Sequence, residues 1–135
     1  MEQPINEKTK FELSDTEGLN YLRWSMFDSP DKSGSGKMFM DRPTVLILDE
    51  IVKKTRMILD IQLGYVSKAY ADRKNMSKMD SHRVGKAVRL KCISPKKRIK
   101  IIYWLMIYGV KRVAVGKDYI YFDTDDLKED SFYIW

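Results

Sequence analysis

The chain has 135 residues, with 25 Lys and Arg against 19 Asp and Glu, a formal net charge of +6. With 44% hydrophobic and 33% charged residues it has the balance of one folded domain, which excludes a disordered, collagen-like or low-complexity chain. The single cysteine, Cys92, excludes an internal disulfide framework and a cysteine-rich zinc module.

In chain order, residues 1–10 are polar and charged and read as a flexible arm. They have no apolar stretch of the kind a secretory signal needs, so a product made in a cytoplasm is expected. The domain itself is expected over 11–135. Residues 29–36 read as a loop, because Pro, Gly and Ser favour turns for separate backbone reasons.

Residues 43–59 read as a helix capped by Asp41, with Pro43 in its first turn. Val45, Leu48 and Val52 form its apolar stripe, with Leu46 and Leu59 beside it. Asp49 with Lys53, and Glu50 with Lys54, are acid-before-base pairs one turn apart. A strand and a long loop follow. In the next strand Val88, Leu90 and Cys92 alternate with Arg89 and Lys91.

A second helix is expected over 95–108, between a Ser94 cap with Pro95 and a terminal Gly109. Ile99, Ile102 and Met106 form its expected inner stripe, broadened by Tyr103 and Trp104. The apolar run in which it lies is interrupted by Lys100 and is too short to span a bilayer. Val110, Val113 and Val115 mark another strand. In the last one, 119–123, Ile120 and Phe122 face one side and Tyr119, Tyr121 and Asp123 the other. The expected class is α+β, a small antiparallel sheet with packed helices.

Charge is unevenly placed. Residues 68–100 hold 12 Lys and Arg against 2 Asp, and residues 117–135 hold 2 Lys against 6 acids. Such a distribution suits an acidic partner, a solvated surface or intramolecular pairing. Nucleic acid is disfavoured, because no stacking motif, Arg-rich helix or helix-turn-helix pattern accompanies the charge.

Several residue types admit a functional and a structural reading. His82 is a metal ligand or a hydrogen-bonded histidine near a pocket. Cys92 is a nucleophile or a core residue. Tyr103, Trp104 and Tyr108 are a stacking platform or helix packing. Asp123, Asp125 and Asp126 are a calcium site or an acidic turn. Tyr21, Trp24 and Phe27 are a partner anchor or core.

Ser81-His82-Arg83-Val84-Gly85-Lys86-Ala87-Val88-Arg89 resembles the S-x-H-x-x-G-x-A-x-D segment of zinc D-Ala-D-Ala carboxypeptidases, a family that includes short phage endolysins. Other segments match in order. Phe27 to Asp31 with Gly34 to Gly36 is similar to the entry segment of the short phage forms. Leu63-Gly64-Tyr65-Val66-Ser67 falls at the family's S-G-Y-R-S, and Asn75 where an Asn often precedes the His motif. Gly109 to Val115 with Tyr119 to Asp125 resembles G-F-x-R-I-G-I and F-I-H-V-D-x-D, and Tyr133-Ile134-Trp135 fits the C-terminal end.

The resemblance implies a hedgehog-like peptidase fold and a zinc held by two His and one Asp. The first ligand matches His82. The other two match Arg89 and Tyr121, and the substrate-binding Arg matches Val66. The general-base Glu falls at Asp118. Arg offers a metal no lone pair, and a neutral phenol is a poor zinc ligand. The resemblance therefore implies a pseudoenzyme with no cofactor, in which Gly85, Ala87, Asp123 and Trp135 persist as scaffold. Arg89 is expected to stand in place of the metal charge and pair with Asp123 or another acid near it.

The expected role is a phage virion component, made in the host cytoplasm and carried in the virion, that binds other virion proteins or its own copies, without membrane insertion. A peptidoglycan binder, a residually active cell-wall peptidase and a host-directed inhibitor are the alternatives.

Overall fold

The computed structural model describes residues 14–134. The expected arm at 1–10, the start of the domain at 11–13 and the scaffold residue Trp135 lie outside the described residues.

Among the described residues four helices and five strands follow one another. They are α1 (Ser35–Phe39), α2 (Arg42–Thr55), β1 (Asp60–Leu63), α3 (Lys68–Arg73), β2 (Ala87–Lys91), α4 (Pro95–Ile107), β3 (Arg112–Val115), β4 (Tyr119–Asp123) and β5 (Ser131–Ile134). Two 3₁₀ turns, Trp24–Phe27 and Ser81–Val84, complete the set. The class is α+β. The strands form one sheet in the order β1-β2-β4-β3-β5. It is mixed and not antiparallel throughout as expected, because β5 runs parallel to β3. None of the helices described is long and apolar enough to cross a membrane.

Strand alternation gives the sheet two unlike faces. Val88, Leu90, Ile120, Phe122, Val113 and Val115 share one face, in cross-strand register. They pack with Val45, Leu48 and Ile51 of α2 and with Ile101 and Leu105 of α4 in one buried core. Arg89, Lys91, Tyr119, Tyr121, Asp123, Arg112 and Ala114 share the opposite face.

Both long helices start as their caps dictate. The Asp41 carboxylate accepts from Thr44 N and Thr44 Oγ1, and Ser94 Oγ accepts from Lys97 N. α2 ends at Thr55, short of the expected 59, because Arg56 takes a left-handed conformation at φ 58°. Leu59 still reaches the core from the segment beyond.

The expected helix faces need correction. On α2 the inner stripe is Val45, Leu48 and Ile51, while Val52 is half-buried and Leu46 exposed. On α4, Ile101 and Leu105 are buried, but Ile99 is 68% and Met106 55% exposed, and Tyr103 also faces out. The run is apolar on every side, so periodicity alone does not choose its inner face. A polar anchor sets the rotation. Arg98 Nη2 donates to Cys92 O at 2.8 Å and to Lys117 O at 2.7 Å, which turns the 98–101–105 side toward the sheet.

Residues 29–36 are built around hydrogen bonds and are less of a loop than expected. Asp28 accepts from Gly34 N at 3.0 Å and Gly36 N at 2.7 Å. Ser29 and Ser35 are buried, and α1 begins inside the stretch. Gly85 is required twice over. Its φ is +71°, and a Cβ there would run into Phe39 O.

Asp49 departs furthest from its expected role. It does not face Lys53. Its buried carboxylate accepts from the backbone N–H groups of Asn20 at 3.0 Å, Tyr21 at 2.9 Å and Leu22 at 2.9 Å. That tie brings Leu19, Leu22, Trp24 and Phe27 into the core. Trp24 is 2% and Phe27 0% exposed, so these two candidate partner anchors are core residues. Of the three only Tyr21 reaches solvent, with the Arg56 guanidinium 5.4 Å from its ring centroid.

Asp49→Ala leaves three backbone donors without their acceptor and should cost about 2–4 kcal/mol, read as a lower urea midpoint at unchanged slope. A loss within error would show that the N-terminal segment holds without this tie.

Candidate functional site

The polar face of the sheet opens into a cleft of about 440 Å³. Arg89, Arg112, Tyr119 and Tyr121 line its floor, and Met76, Met79, Asp80, Ser81 and His82 line a wall. One backbone bond holds the His82 turn against the segment after β1: Val66 N donates to His82 O at 3.1 Å, and Gly85 N closes the turn on the same oxygen at 3.2 Å. Val66 itself is fully buried and does not line the cleft. Asp118 is exposed on the β3–β4 turn, where its carbonyl accepts from Cys92 N.

The positions matched to zinc ligands do meet. Arg89 and Tyr121 are cross-strand partners, and the His82 and Tyr121 rings lie 5.6 Å apart, edge to face. His82 Nδ1 sits 2.6 Å from Gly64 O, so this nitrogen carries the proton and Nε2 keeps its lone pair. Burial holds the imidazole pKa below its usual value, and the Arg89 charge adds to that effect. The histidine is therefore neutral near pH 7.

Its neighbours do not complete a metal site. Burial pushes the Tyr121 phenol well above its usual range, and its hydrogen bond to Asp123 Oδ2 at 2.6 Å pushes it further. Arg89 is cationic and has no lone pair to give. Among the described residues no three His, Cys, Asp or Glu side chains are grouped to hold a metal. The donor set here does not fit zinc.

Asp123 is the centre of the polar network, though its partner is not the expected Arg89. It is 1% exposed and accepts from Arg112 Nε at 2.8 Å, Tyr121 OH at 2.6 Å and Asp125 N at 3.2 Å. The reason is register. Asp123 stands opposite Arg112 on β3 and opposite Ala87 on β2, while Arg89 stands opposite Tyr121. Arg112 Nη1 also donates to Glu129 O.

Arg89 goes elsewhere. Its guanidinium lies 3.8 Å from the Tyr119 ring centroid, its Nε is buried without a hydrogen bond, and no ion pair to it occurs among the described residues.

The other candidate residues have structural partners. Asp125 accepts from Ser81 Oγ at 2.9 Å, and Asp126 pairs with Lys86 at 3.5 Å, so the acidic turn is committed to protein groups. Cys92 is buried, its thiol directed at Ser94 O at 3.7 Å. Trp104 stacks on Tyr108 with centroids 5.9 Å apart and meets Tyr103 edge-on at 5.4 Å.

The residues that sequence reasoning missed are Arg112, Tyr119 and Lys128, whose Nζ donates to Ser81 Oγ at 2.7 Å. The signal for Arg112 was present. A tight hairpin joining 112–115 to 119–123 sets Arg112 opposite Asp123. Comparison of the chain with protein-family models, with curated proteins and with solved structures finds no match.

Arg112→Met removes the cation beside a buried carboxylate and should cost about 2–3 kcal/mol, whereas Arg89→Met should cost less than about 1 kcal/mol. Chemical denaturation of the two variants side by side reads the difference. Equal losses would contradict the assignment of Asp123 to Arg112.

Proposed function

We propose that this chain is a non-catalytic protein with a zinc D-Ala-D-Ala carboxypeptidase-like fold, and that it serves as a binding component of a phage particle. The observation that carries the reading is that His82, Arg89 and Tyr121, the positions the resemblance matches to the zinc ligands, line one cleft and include a single residue able to bind zinc. A guanidinium stands where the resemblance expects a zinc carboxylate, and a phenol bound to Asp123 stands where it expects the second histidine. Such a set offers zinc one ligand where a site needs at least three.

The outer face of α4 supports the binding role. Ile99, Tyr103, Met106 and Ile107 are exposed along it, and Lys96, Lys97 and Lys100 stand exposed on the same helix. This face suits another protein of the particle, one that sets acidic side chains opposite the lysines.

A second reading, a peptidoglycan-binding or residually active cell-wall peptidase, draws on one observation. His82 presents the tautomer of a zinc ligand, Nδ1 on a carbonyl and Nε2 free to donate electrons.

Elemental mass spectrometry on chain purified without chelator separates the two readings. Near-zero zinc is expected, and one zinc per chain would overturn the non-catalytic reading. Particles banded by density should retain the chain. A chain left wholly in the unbanded lysate would overturn the particle role.

A further inference from the structure

The three cations that line the cleft are not equally engaged. Arg112 is bound to Asp123, and Lys128 donates to Ser81 Oγ. The one carboxylate among the lining residues, Asp80, accepts from His82 N at 2.9 Å. Arg89 alone keeps guanidinium donors without a carboxylate partner among the described residues.

A partly buried guanidinium is costly to leave unmatched, and its planar fork fits a carboxylate through two parallel N–H···O bonds. The Tyr119 ring covers one face of the fork, so a ligand reaches it through the edge. Around it, Leu63, Met76 and Met79 add apolar side chains to the lining. The cleft volume falls in the range of small-molecule sites, roughly 300–1,000 Å³.

We propose that this cleft binds a small organic acid, its carboxylate paired with Arg89 and its apolar body resting against Leu63, Met76 and Met79. Lys128 adds a second positive charge to the lining, and the neutral His82 ring lines the same cleft. The inference rests on the reading of the cleft as metal-free. Elemental analysis tests that reading separately. A zinc-free chain that ignores carboxylates would overturn the present inference alone.

Phenylacetate is the probe, with phenylacetamide as its uncharged counterpart, titrated into the intact chain and followed by NMR. Phenylacetate should shift the Arg89 Nε–H and the Tyr119 and Tyr121 ring signals, saturating in the millimolar range usual for fragments of this size. Phenylacetamide should bind at least about tenfold more weakly, the loss set by one charge-assisted bidentate contact. Arg89→Met and Arg89→Gln should each lose a similar factor. Lys91→Met, an exposed position on the same strand outside the cleft, should bind as the parent chain does.

Equal binding of the two probes, unchanged binding by the Arg89 variants, or no saturable shift would each overturn the proposal. The comparison of the two probes on the parent chain decides the matter even where an Arg89 variant fails to fold.

Discussion

A carboxylate taken out of water within a β-sheet must be neutralised or bound from all sides, and the polar half of this molecule is arranged around one such group. Asp123 receives Arg112, Tyr121 and the backbone of Asp125. Through these bonds it ties β3 to β4 and starts the turn into the acidic segment. Asp125 then reaches Ser81, next to His82, so the same network also holds the wall of the cleft. Arg112 reaches Glu129 O as well, just before β5. A metal centre would tie such elements together through ligand bonds. Here hydrogen bonds between charged and polar side chains link them.

The apolar half obeys a simpler constraint. Its strand residues face the core by alternation, and the two long helices cover them. Two polar side chains nonetheless decide how the pieces sit. Arg98 sets the rotation of α4 by holding the ends of two strands, and Asp49 gathers the N-terminal segment by three backbone bonds. Each is a charged group taken into a tertiary contact, where its hydrogen bonds to backbone outweigh the loss of solvent.

Legibility in the sequence follows from this division. The capped helices and the alternation in β2 and β4 depend on local rules, and the chain reads correctly there. Asp41, Ser94, Leu90, Ile120 and Phe122 all act as local chemistry implies. The inner face of α4 was not legible, because Ile99 to Ile107 offers apolar residues on all sides and the deciding contacts of Arg98 are distant in sequence. Trp24 and Phe27 were ambiguous for the same reason, since the tie that buries their segment comes from Asp49 on α2. In the site, His82, Arg89, Tyr121 and Asp123 were found together, but the pairing was misread by one strand. Face alternation places Arg89 and Asp123 on the same side; only the register shows that Arg112 is the direct neighbour.

That register has a functional consequence: Arg112 answers the charge of Asp123 and leaves Arg89 over Tyr119 without a carboxylate partner among the described residues. The most direct test is a double-mutant cycle between Arg112→Met and Asp123→Leu, followed by urea denaturation. The account predicts a coupling of at least about 2 kcal/mol for this pair, and a coupling near zero for the matching cycle between Arg89→Met and Asp123→Leu. Strong coupling to Arg89 with none to Arg112 would contradict it.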